Sequence, residues 1–387
     1  MADVAPIVNL DFAASTSLRH EAREAERTYD ASPIAGANPN ALHRLGRAAA
    51  QSLEEARRSI ARSLGARVRP SEVVLTGGGT EADQLALLGI AEGVRDRDRT
   101  RTRVVVSAIE HDAILDNLPL LRAAGFETAL VYPNRQGVVE PGALRDLMGR
   151  DVALVSIMLA NNETGVIQPV RELAAVAHEA GARIHTDAIQ GYLHIPFDVG
   201  ELGVDALSLA GHKVGGPVST GALYLASRTP LRPRVFGGGQ EAGRRAGTQD
   251  VRGALALAAV ARALGPHVVE ERCRVGALAD DLYRRLLSHP RIRASMGDPF
   301  QVDRLPGIVS VLIEGADSQE LVLRLDAAGF AVSAGSACSS GSTSASHVLR
   351  AMGLTADEAA GSLRISFDDR VDPSSLTRFA DVLRDMV

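Results

Sequence analysis

The sequence predicts an α/β fold built on a mostly parallel sheet. Between Glu72 and Ser227, short apolar runs rich in β-branched residues alternate with longer runs in which apolar residues recur every three or four positions, which is typical of repeated strand-helix-strand units. The predicted strands are, in chain order, EVVLT, RVVVSAI, ALVYP, VALVSIML, ARIHTD, DALSLA and GALYLA. The predicted crossover helices are EADQLALLGIAEGV, HDAILDNLPLLRAAG and VRELAAVAHEAG, and the last two end in glycine, as helices often do.

The rest of the chain predicts a second, smaller α+β unit. A long helical region from about Val251 to Ser288 is followed by IVSVLIEG, by the glycine- and serine-rich run SAGSACSSGSTSAS and by the strand SLRISF. At roughly 150 residues per domain, 387 residues fit one large and one small domain. We therefore expect a large domain over residues 16–255 and a small domain formed by residues 1–15 and 256–387.

Composition excludes several classes of protein. The formal net charge of −5 and the isoelectric point near 6.1 leave no basic excess for the phosphate contacts of nucleic-acid binding. The most apolar helical stretch is interrupted by Arg262 and Pro266, so it falls short of the roughly 18 uninterrupted apolar residues of a membrane span. Two cysteines do not make a disulfide scaffold, and the start MADVAPIVNLD lacks the pattern of a signal peptide. We expect a cytoplasmic protein with no membrane span, nucleic-acid surface or metal site.

The basic residues are unevenly divided between the two types. Of the 42 lysine and arginine residues, only Lys213 is lysine, which leaves 42 − 1 = 41 arginines. An arginine-favouring genome explains the surface composition, but it does not explain why one lysine remains. A guanidinium stays protonated, whereas a desolvated amine can form an imine. Lys213 is therefore a candidate for chemistry.

Five polar clusters follow predicted strands directly. They are GGGTEAD, EHDA, NNETG, TDAIQ and AGHKVGGP. In a parallel sheet, ligands bind in the crevice beyond the carboxyl ends of the strands. The sequence therefore predicts a single site at one edge of the sheet.

The first of these clusters has two interpretations. The run from Gly77 to Thr80 enters a predicted helix, so its backbone amides and hydroxyl could bind a phosphate, but a tight turn with a capping threonine explains it equally well. Asp187 ends an apolar strand, where a carboxylate needs a cation or strong donor; a protonated ring nitrogen on a cofactor would serve, and a helix N-cap is the alternative. Gln190 could then reach a ring hydroxyl.

The histidines and the lysine complete the set. His111 could stack on an aromatic cofactor or move protons, although an ordinary loop histidine is equally consistent with its position. His212 could bind phosphate, and the strand before Lys213 would bring the amine to the same edge. A phosphate loop, a stacking histidine, a ring-nitrogen carboxylate and an imine-forming lysine are together the parts of a pyridoxal phosphate site.

These motifs are found in a known family. The sequence resembles the group V pyridoxal phosphate enzymes and, among them, the NifS/IscS-like cysteine desulfurases. The resemblance implies the fold-type-I aminotransferase architecture, a homodimer with active sites at its interface, and conversion of L-cysteine to L-alanine with an enzyme persulfide as the other product. It rests on LDFAAST, NPNALHRLGR, LTGGGTEADQLAL, IEHDAIL, NNETGVIQP, HTDAIQ, AGHKVGGP, FGGGQEAGRRAGTQD, SAGSACSSGSTSASHVLRAMG and SLRISF.

The resemblance also implies a role for each matching position. Lys213 would hold the cofactor as an imine and move the substrate's α-proton, His111 would stack on the ring, and Asp187 would pair with the ring nitrogen. Asn162 and Gln190 would bind around the ring hydroxyl and the substrate. The phosphate would be held by Gly79, Thr80 and His212, and by Thr248 of the neighbouring subunit.

Arg364 and Cys338 complete the implied site. Arg364 resembles the arginine that clamps the substrate carboxylate, for which a planar guanidinium is suited. Cys338 resembles the sulfur-accepting nucleophile, in a segment of Ser, Gly, Ala and Thr that has little to pack. The length of this segment implies direct transfer of sulfur to a partner's cysteine. Cys273, within a predicted helix, is interpreted as a buried small hydrophobe.

Several positions depart from the family pattern. Ala210 stands where a serine is usual, Gln84 and Gly307 replace asparagines, Ala242 replaces an arginine, and SFDDR stands where SLGR is common. The chain also ends 387 − 364 = 23 residues after Arg364, without the longer tail that engages a cluster scaffold. Beside iron-sulfur cluster assembly, we therefore expect a dedicated sulfur donor, for DNA phosphorothioation, tRNA thiolation or a biosynthetic pathway.

Two alternatives stay open. A selenocysteine lyase, or another carbon-sulfur lyase or epimerase, would use the same cofactor and fold. A non-catalytic dimeric assembly protein would use the fold alone, although the presence of Lys213, Asp187, His111 and Cys338 argues against it.

Overall fold

A computed structural model describes residues 7–335 and 345–387. The strands within these residues are β1 (Val8–Asn9), β2 (Val73–Thr76), β3 (Arg103–Ser107), β4 (Glu127–Val131), β5 (Val152–Ser156), β6 (Arg183–Asp187), β7 (Ala206–Ala210), β8 (Gly221–Leu225), β9 (Ile292–Ala294), β10 (Ile308–Ile313), β11 (Phe330–Ala331), β12 (Ser333–Ala334) and β13 (Ser362–Ser366). The helices are α1 (His20–Asp30), α2 (Arg44–Leu64), α3 (Gly79–Arg97), α4 (Asp112–Leu115), α5 (Leu118–Ala123), α6 (Pro141–Arg145), α7 (Val170–Glu179), α8 (Val199–Leu202), α9 (Val251–Leu264), α10 (Val268–Leu287), α11 (Ser318–Ala327), α12 (His347–Ala351), α13 (Ala356–Ala360) and α14 (Pro373–Met386).

The large sheet has seven strands in the order β2-β8-β7-β6-β5-β3-β4. The seven predicted strands are all present, and the five from β7 to β4 in this order run parallel. Strand β8 is antiparallel to both β7 and β2. The segment between β7 and β8 contains no crossover helix, and strands joined by a short connection pair antiparallel. The prediction of a mostly parallel sheet is confirmed.

One predicted helix is interrupted. The run HDAILDNLPLLRAAG forms two short helices, α4 and α5, separated by Asp116 and Asn117. Pro119 lies in the first turn of α5, where its missing N–H costs nothing, whereas a proline inside a continuous helix would break a hydrogen bond and clash with the preceding turn. The proline therefore starts a new helix.

The second unit is the predicted smaller α+β structure. Its antiparallel sheet has the order β12-β13-β10-β9. Residues of α10, α11 and α14 pack with this sheet in one hydrophobic core, in which Tyr283, Phe330 and Phe379 are among the largest fully buried side chains. The large sheet is covered by two further hydrophobic cores.

The amino-terminal segment joins the two sheets. Beyond β1, which pairs with β11, the carbonyl of Leu10 accepts a hydrogen bond from Ser366 N at 2.7 Å. The Ser366 hydroxyl in turn accepts one from Ala13 N at 2.9 Å. The segment then passes the carboxyl end of β7. Within the described residues, no helix has the length and apolarity needed to cross a membrane.

Candidate active site

Lys213 lies directly beyond β7, as predicted. It ends a 3-10 helix over Gly211–Lys213, and its Nζ donates hydrogen bonds to the carbonyls of Ala13 at 2.7 Å and Ala14 at 2.9 Å. These contacts tie the amine to the amino-terminal segment. Gln190 donates to the same Ala13 carbonyl at 2.9 Å, so two predicted site residues meet at one backbone oxygen.

Asp187 ends β6, the strand next to β7. Its side chain is 4% exposed, and Oδ1 accepts a hydrogen bond from Ile189 N at 2.8 Å. Burial raises the pKa of Asp187, although the charges of His111 and Lys213 act in the opposite direction. The alternative of a helix N-cap does not apply, because a turn rather than a helix follows Asp187. The carboxyl group is suited to a positively charged ligand.

Behind Asp187 lies a buried polar group that sequence reasoning missed. Asp83 of α3 is fully buried, and neither of its oxygens makes a hydrogen bond within the described part of the chain. Burial raises its pKa well above the usual value, and the negative charge of Asp187 adds to this. Glu110 is also fully buried, and its pKa is raised for the same two reasons. The three carboxyl groups cannot all carry a charge at low cost.

His185 connects this group to the sheet. Its Nε2 lies 3.8 Å from Asp83 Oδ1, and its two ring nitrogens share hydrogen bonds with the hydroxyls of Ser156 and Ser208, each at 2.9 Å. Burial lowers the pKa of His185 to about 3, so the ring is neutral at pH 7. A signal for it was available: His185 and Asp187 are two residues apart on one strand and therefore point to the same face.

Two of the predicted phosphate residues, Gly79 and Thr80, open α3, and His212 lies in the 3-10 helix after β7. Gly79 begins the 19-residue α3, and a Cβ at Gly79 would lie 2.3 Å from Ile189 Cδ1, so a larger residue would require the Ile189 side chain to move. Thr80 is exposed in the first turn, where free amides and the helix dipole favour an anion. Burial and the charge of Lys213 lower the pKa of His212 to about 4.

Two further predicted residues, His111 and Thr248, come from other parts of the chain. His111 caps α4, and its Nδ1 accepts a hydrogen bond from Ala113 N at 3.0 Å. Thr248 is exposed and lines a cavity of about 120 Å³ together with Thr76 and Gly77. His111 is therefore held in place by this hydrogen bond at the start of α4.

Arg364 comes from the small sheet and is buried, with 1% of its surface exposed. On β13, its Nη1 donates to the carbonyl of Asn162 at 2.8 Å and its Nη2 to Asp11 Oδ1 at 2.9 Å. Its Nε has no hydrogen-bond partner among the described residues. An ordinary surface arginine is excluded. The buried guanidinium retains a donor for a further acceptor, such as a carboxylate.

The structure describes only one of the two cysteines, Cys273. Cys338 lies outside the described residues. The interpretation of Cys273 as a buried hydrophobe is wrong, because this residue is exposed on α10. The inward face of α10 is formed by Val275, Ala279, Leu282 and Leu286, and Cys273 does not belong to that helical series.

The family departures have structural explanations in three cases. Gln84 donates to Asn117 Oδ1 at 3.0 Å. A Cβ at Gly307 would lie 2.0 Å from the carbonyl oxygen of Phe367, so the backbones approach too closely for another residue. In SFDDR, Asp368 pairs with the buried Arg19 at 3.2 Å, and Asp369 contacts the same guanidinium. Nothing in the structure explains Ala242, an exposed residue with a φ of 56°.

Comparisons with known proteins identify the family of this chain. The family model for class-V aminotransferases matches residues 8–378. The IscS-like cysteine desulfurase of Mycobacterium tuberculosis is 41% identical over 366 residues, covering 92% of this chain and 90% of that protein. Among solved structures, a NifS-like protein has a TM-score of 0.89 at 30% identity, covering 98% of this chain and 99% of that one. SspA in complex with cysteine has a TM-score of 0.80 at 29% identity, covering 93% and 98%. The chain thus belongs to the class-V aminotransferase family, among the cysteine desulfurases of the IscS and NifS type.

Proposed function

We propose that this protein is a pyridoxal-phosphate-dependent cysteine desulfurase, which converts L-cysteine to L-alanine and transfers the sulfur to Cys338. The observation that carries the proposal is that one short segment, residues 11–14, contacts both Lys213 and the buried Arg364. This segment connects an amine beyond the large sheet to a buried guanidinium of the small sheet, which supports assigning both to one site. A solved relative, SspA, is described in complex with cysteine, which supports this amino acid as the substrate.

The residues of the site fit pyridoxal phosphate. The buried Asp187 matches a protonated ring nitrogen, because that charge would stabilise its anion. The open first turn of α3 and the neutral His212 match a phosphate, with Thr80 as a further donor. Lys213 is the single side-chain amine of the chain and would carry the cofactor. When bound, pyridoxal phosphate supplies an electron sink for charge that develops on the substrate's α-carbon.

The other side chains bind the substrate and move protons. Arg364 binds the substrate carboxylate, and its hydrogen bonds to Asn162 and Asp11 hold the guanidinium in place. The Lys213 amine takes the proton from the α-carbon, and His111 assists in proton transfer. Gln190, fixed by Ala13, binds beside the ring hydroxyl together with Asn162.

The sulfur step needs a thiolate. The Cys338 sulfur attacks the sulfur of the bound cysteine, so an S–S bond forms while the substrate's Cβ–S bond breaks. The electron pair of the broken bond stays with the carbon fragment, which is protonated and released as alanine. The enzyme is left with a persulfide and needs no external oxidant or reductant for this step.

A pair of cysteine variants tests this assignment. The protein would be supplied with ³⁵S-labelled L-cysteine, and retained label and released alanine would be measured. Cys338→Ala should lose both, whereas the exposed Cys273→Ala should retain both. Desulfuration undiminished in Cys338→Ala would contradict the persulfide mechanism, and turnover of selenocysteine but not cysteine would favour the lyase.

The wider assignments are also proposals. We propose a cytoplasmic homodimer in which Thr248 serves the neighbouring subunit's phosphate site, with domains over 16–255 and over 1–15 with 256–387. Its sulfur acceptor is a protein, in cluster assembly or in a dedicated thiolation pathway. Incubating the persulfide form with an iron-sulfur scaffold distinguishes the two, because efficient transfer to the scaffold would count against a dedicated donor.

A further inference from the structure

Glu163 is buried and directly follows Asn162, whose carbonyl accepts a hydrogen bond from Arg364. The Glu163 side chain is 3% exposed, and its Oε2 accepts a hydrogen bond from the Ser346 hydroxyl at 2.5 Å. A Cβ built on Gly335 would lie 3.5 Å from the same oxygen. Gly335 and Ser346 stand on either side of residues 336–344, so the described ends of that interval both meet Glu163.

The cation that connects Glu163 to the proposed substrate site is Arg364, whose charge acts on Glu163. This guanidinium donates to the carbonyl of the preceding residue, Asn162, and its positive charge is already paired with Asp11 at 2.9 Å. Glu163 follows Asn162 directly, and the charge of Arg364 also acts on its carboxyl group, although the ion pair of Arg364 is with Asp11. A substrate carboxylate bound to Arg364 would be the third carboxyl group to interact with this charge.

Among the residues that the structure describes, four groups act on the Glu163 carboxyl group: Ser346, His347, Arg364 and Asp112. Burial raises the pKa of Glu163 to about 7, while the Ser346 hydrogen bond and the charges of His347 on α12 and Arg364 on β13 oppose the rise. Asp112 on α4 adds to it. Glu163 therefore titrates in the neutral range, where a new negative charge nearby would make it bind a proton.

We propose that Glu163 is a positioning residue that takes up a proton when the substrate carboxylate binds Arg364, so that substrate affinity falls as the pH rises above neutrality. The inference rests on the proposed function, since it assigns Arg364 to the substrate carboxylate. The two effects are reciprocal: a ligand that promotes protonation of Glu163 binds more tightly to the protonated form. Once Glu163 is ionised, its negative charge repels the substrate carboxylate, and both interact with the single positive charge of Arg364.

Propionate is the probe for this linkage. It carries the carboxylate and chain length of alanine but no amine that could itself titrate. Its binding to the holoenzyme would be measured by calorimetry between pH 6 and 8.5, in two buffers of different ionisation enthalpy, so that protons taken up per ligand are counted. For the wild type we expect uptake approaching about one proton per site above pH 7, with affinity falling by up to about tenfold per pH unit.

Glu163→Gln keeps the shape of the side chain and should abolish both the proton uptake and the pH dependence. Glu72→Gln, at a buried carboxyl group outside the site, is the matched control and should retain them. Ser346→Ala removes a hydrogen bond that favours the ionised carboxylate, so it should move the midpoint of the affinity curve to higher pH. This last variant keeps the test open if Glu163→Gln does not fold.

The inference would be overturned if the wild type bound propionate without proton uptake, if Glu163→Gln retained the uptake, or if Ser346→Ala left the midpoint unchanged. Alanine formation from cysteine is measured separately on the same preparations. Proton-linked propionate binding without desulfuration would refute the proposed function alone. Desulfuration without the linkage would refute this inference alone.

Discussion

The protein buries carboxyl groups in two regions and treats them differently. Beside β2, Glu241 accepts hydrogen bonds from Arg57 at 2.6 and 2.8 Å and from Leu75 N at 2.9 Å; burial alone would raise its pKa, but these contacts lower it. At the site, burial raises the pKa values of both Asp83 and Asp187, and the charge of Asp187 adds to the rise at Asp83. In the scaffold, Arg57 pairs with the buried Glu241, whereas at the site the charge of Asp187 opposes ionisation of the buried Asp83 and Glu110.

Replacing the amine of the site should have the largest effect. Lys213→Arg keeps a positive charge but removes the amine, and no other lysine is present to substitute. We expect alanine formation to fall by more than about 1,000-fold, equivalent to roughly 4 kcal/mol of barrier. The melting temperature should change little, because the residue belongs to the site and not to the scaffold. Persistent desulfuration by this variant would refute the assignment of Lys213.

Removing a scaffold cation should instead lower the stability of the fold. Arg57→Leu leaves Glu241 buried without its partner, and the loss of a buried partner costs about 3–5 kcal/mol. The free energy of unfolding, from urea titration, should fall accordingly. The control is the double variant Arg57→Leu with Glu241→Gln, which should recover much of the loss. If the single and double variants were equally unstable, the pairing would not be the cause.

Neutralising a carboxyl of the site should stabilise the protein. The pKa of Asp83 is raised in the folded state. Above its unfolded value of about 4, the unfolded state releases a proton that the folded state retains, so the free energy of unfolding of the wild type falls as the pH rises. We expect Asp83→Asn to melt higher than the wild type at pH 8, by a few degrees. The difference should shrink towards pH 4. A difference that did not vary with pH would contradict the raised pKa.

Neutralising a scaffold carboxyl should give the smallest effect, with the reverse sign. Although burial opposes it, hydrogen bonds from Arg69 and Ser227 lower the pKa of Glu72 to about 2. Glu72→Gln should therefore melt slightly lower than the wild type above about pH 5, and the gap should close as the pH falls towards 2. Thermal melts of both variants on one pH series would compare the two regions directly. If the melting temperatures of both variants changed in the same direction relative to the wild type, the two regions would not differ in how they treat buried carboxyl groups.

The sequence predicted the strands and the edge at which the site lies, because apolar β-branched runs and the polar clusters after them are local patterns. It did not predict Asp83, Glu110, His185 or Glu163. Each is a polar residue whose environment includes a group from another element. Asp83 of α3 lies 3.8 Å from His185 on β6. Glu163 accepts a hydrogen bond from Ser346, which is distant in the sequence. The sequence alone does not give such tertiary pairings.

Other differences were available in the sequence. The short connection between β7 and β8 leaves no room for a crossover helix, which indicates the antiparallel pairing. Pro119 indicates the break between α4 and α5. The apolar residues of α10 recur at Val275, Ala279, Leu282 and Leu286, and the position of Cys273 outside this series indicates that it is exposed.

The single lysine also determines how the protein responds to chemical reagents. Because Lys213 Nζ is held between the carbonyls of Ala13 and Ala14 and every other side-chain cation of this type is an arginine, reagents selective for amines have one side-chain target in the folded chain. In the cofactor-free protein, where this amine carries no imine, a fluorophore or crosslinker attached to it marks the site. Conversely, immobilisation through surface lysines, a routine step for other enzymes, would have nothing to bind here except the site itself and the chain's amino terminus.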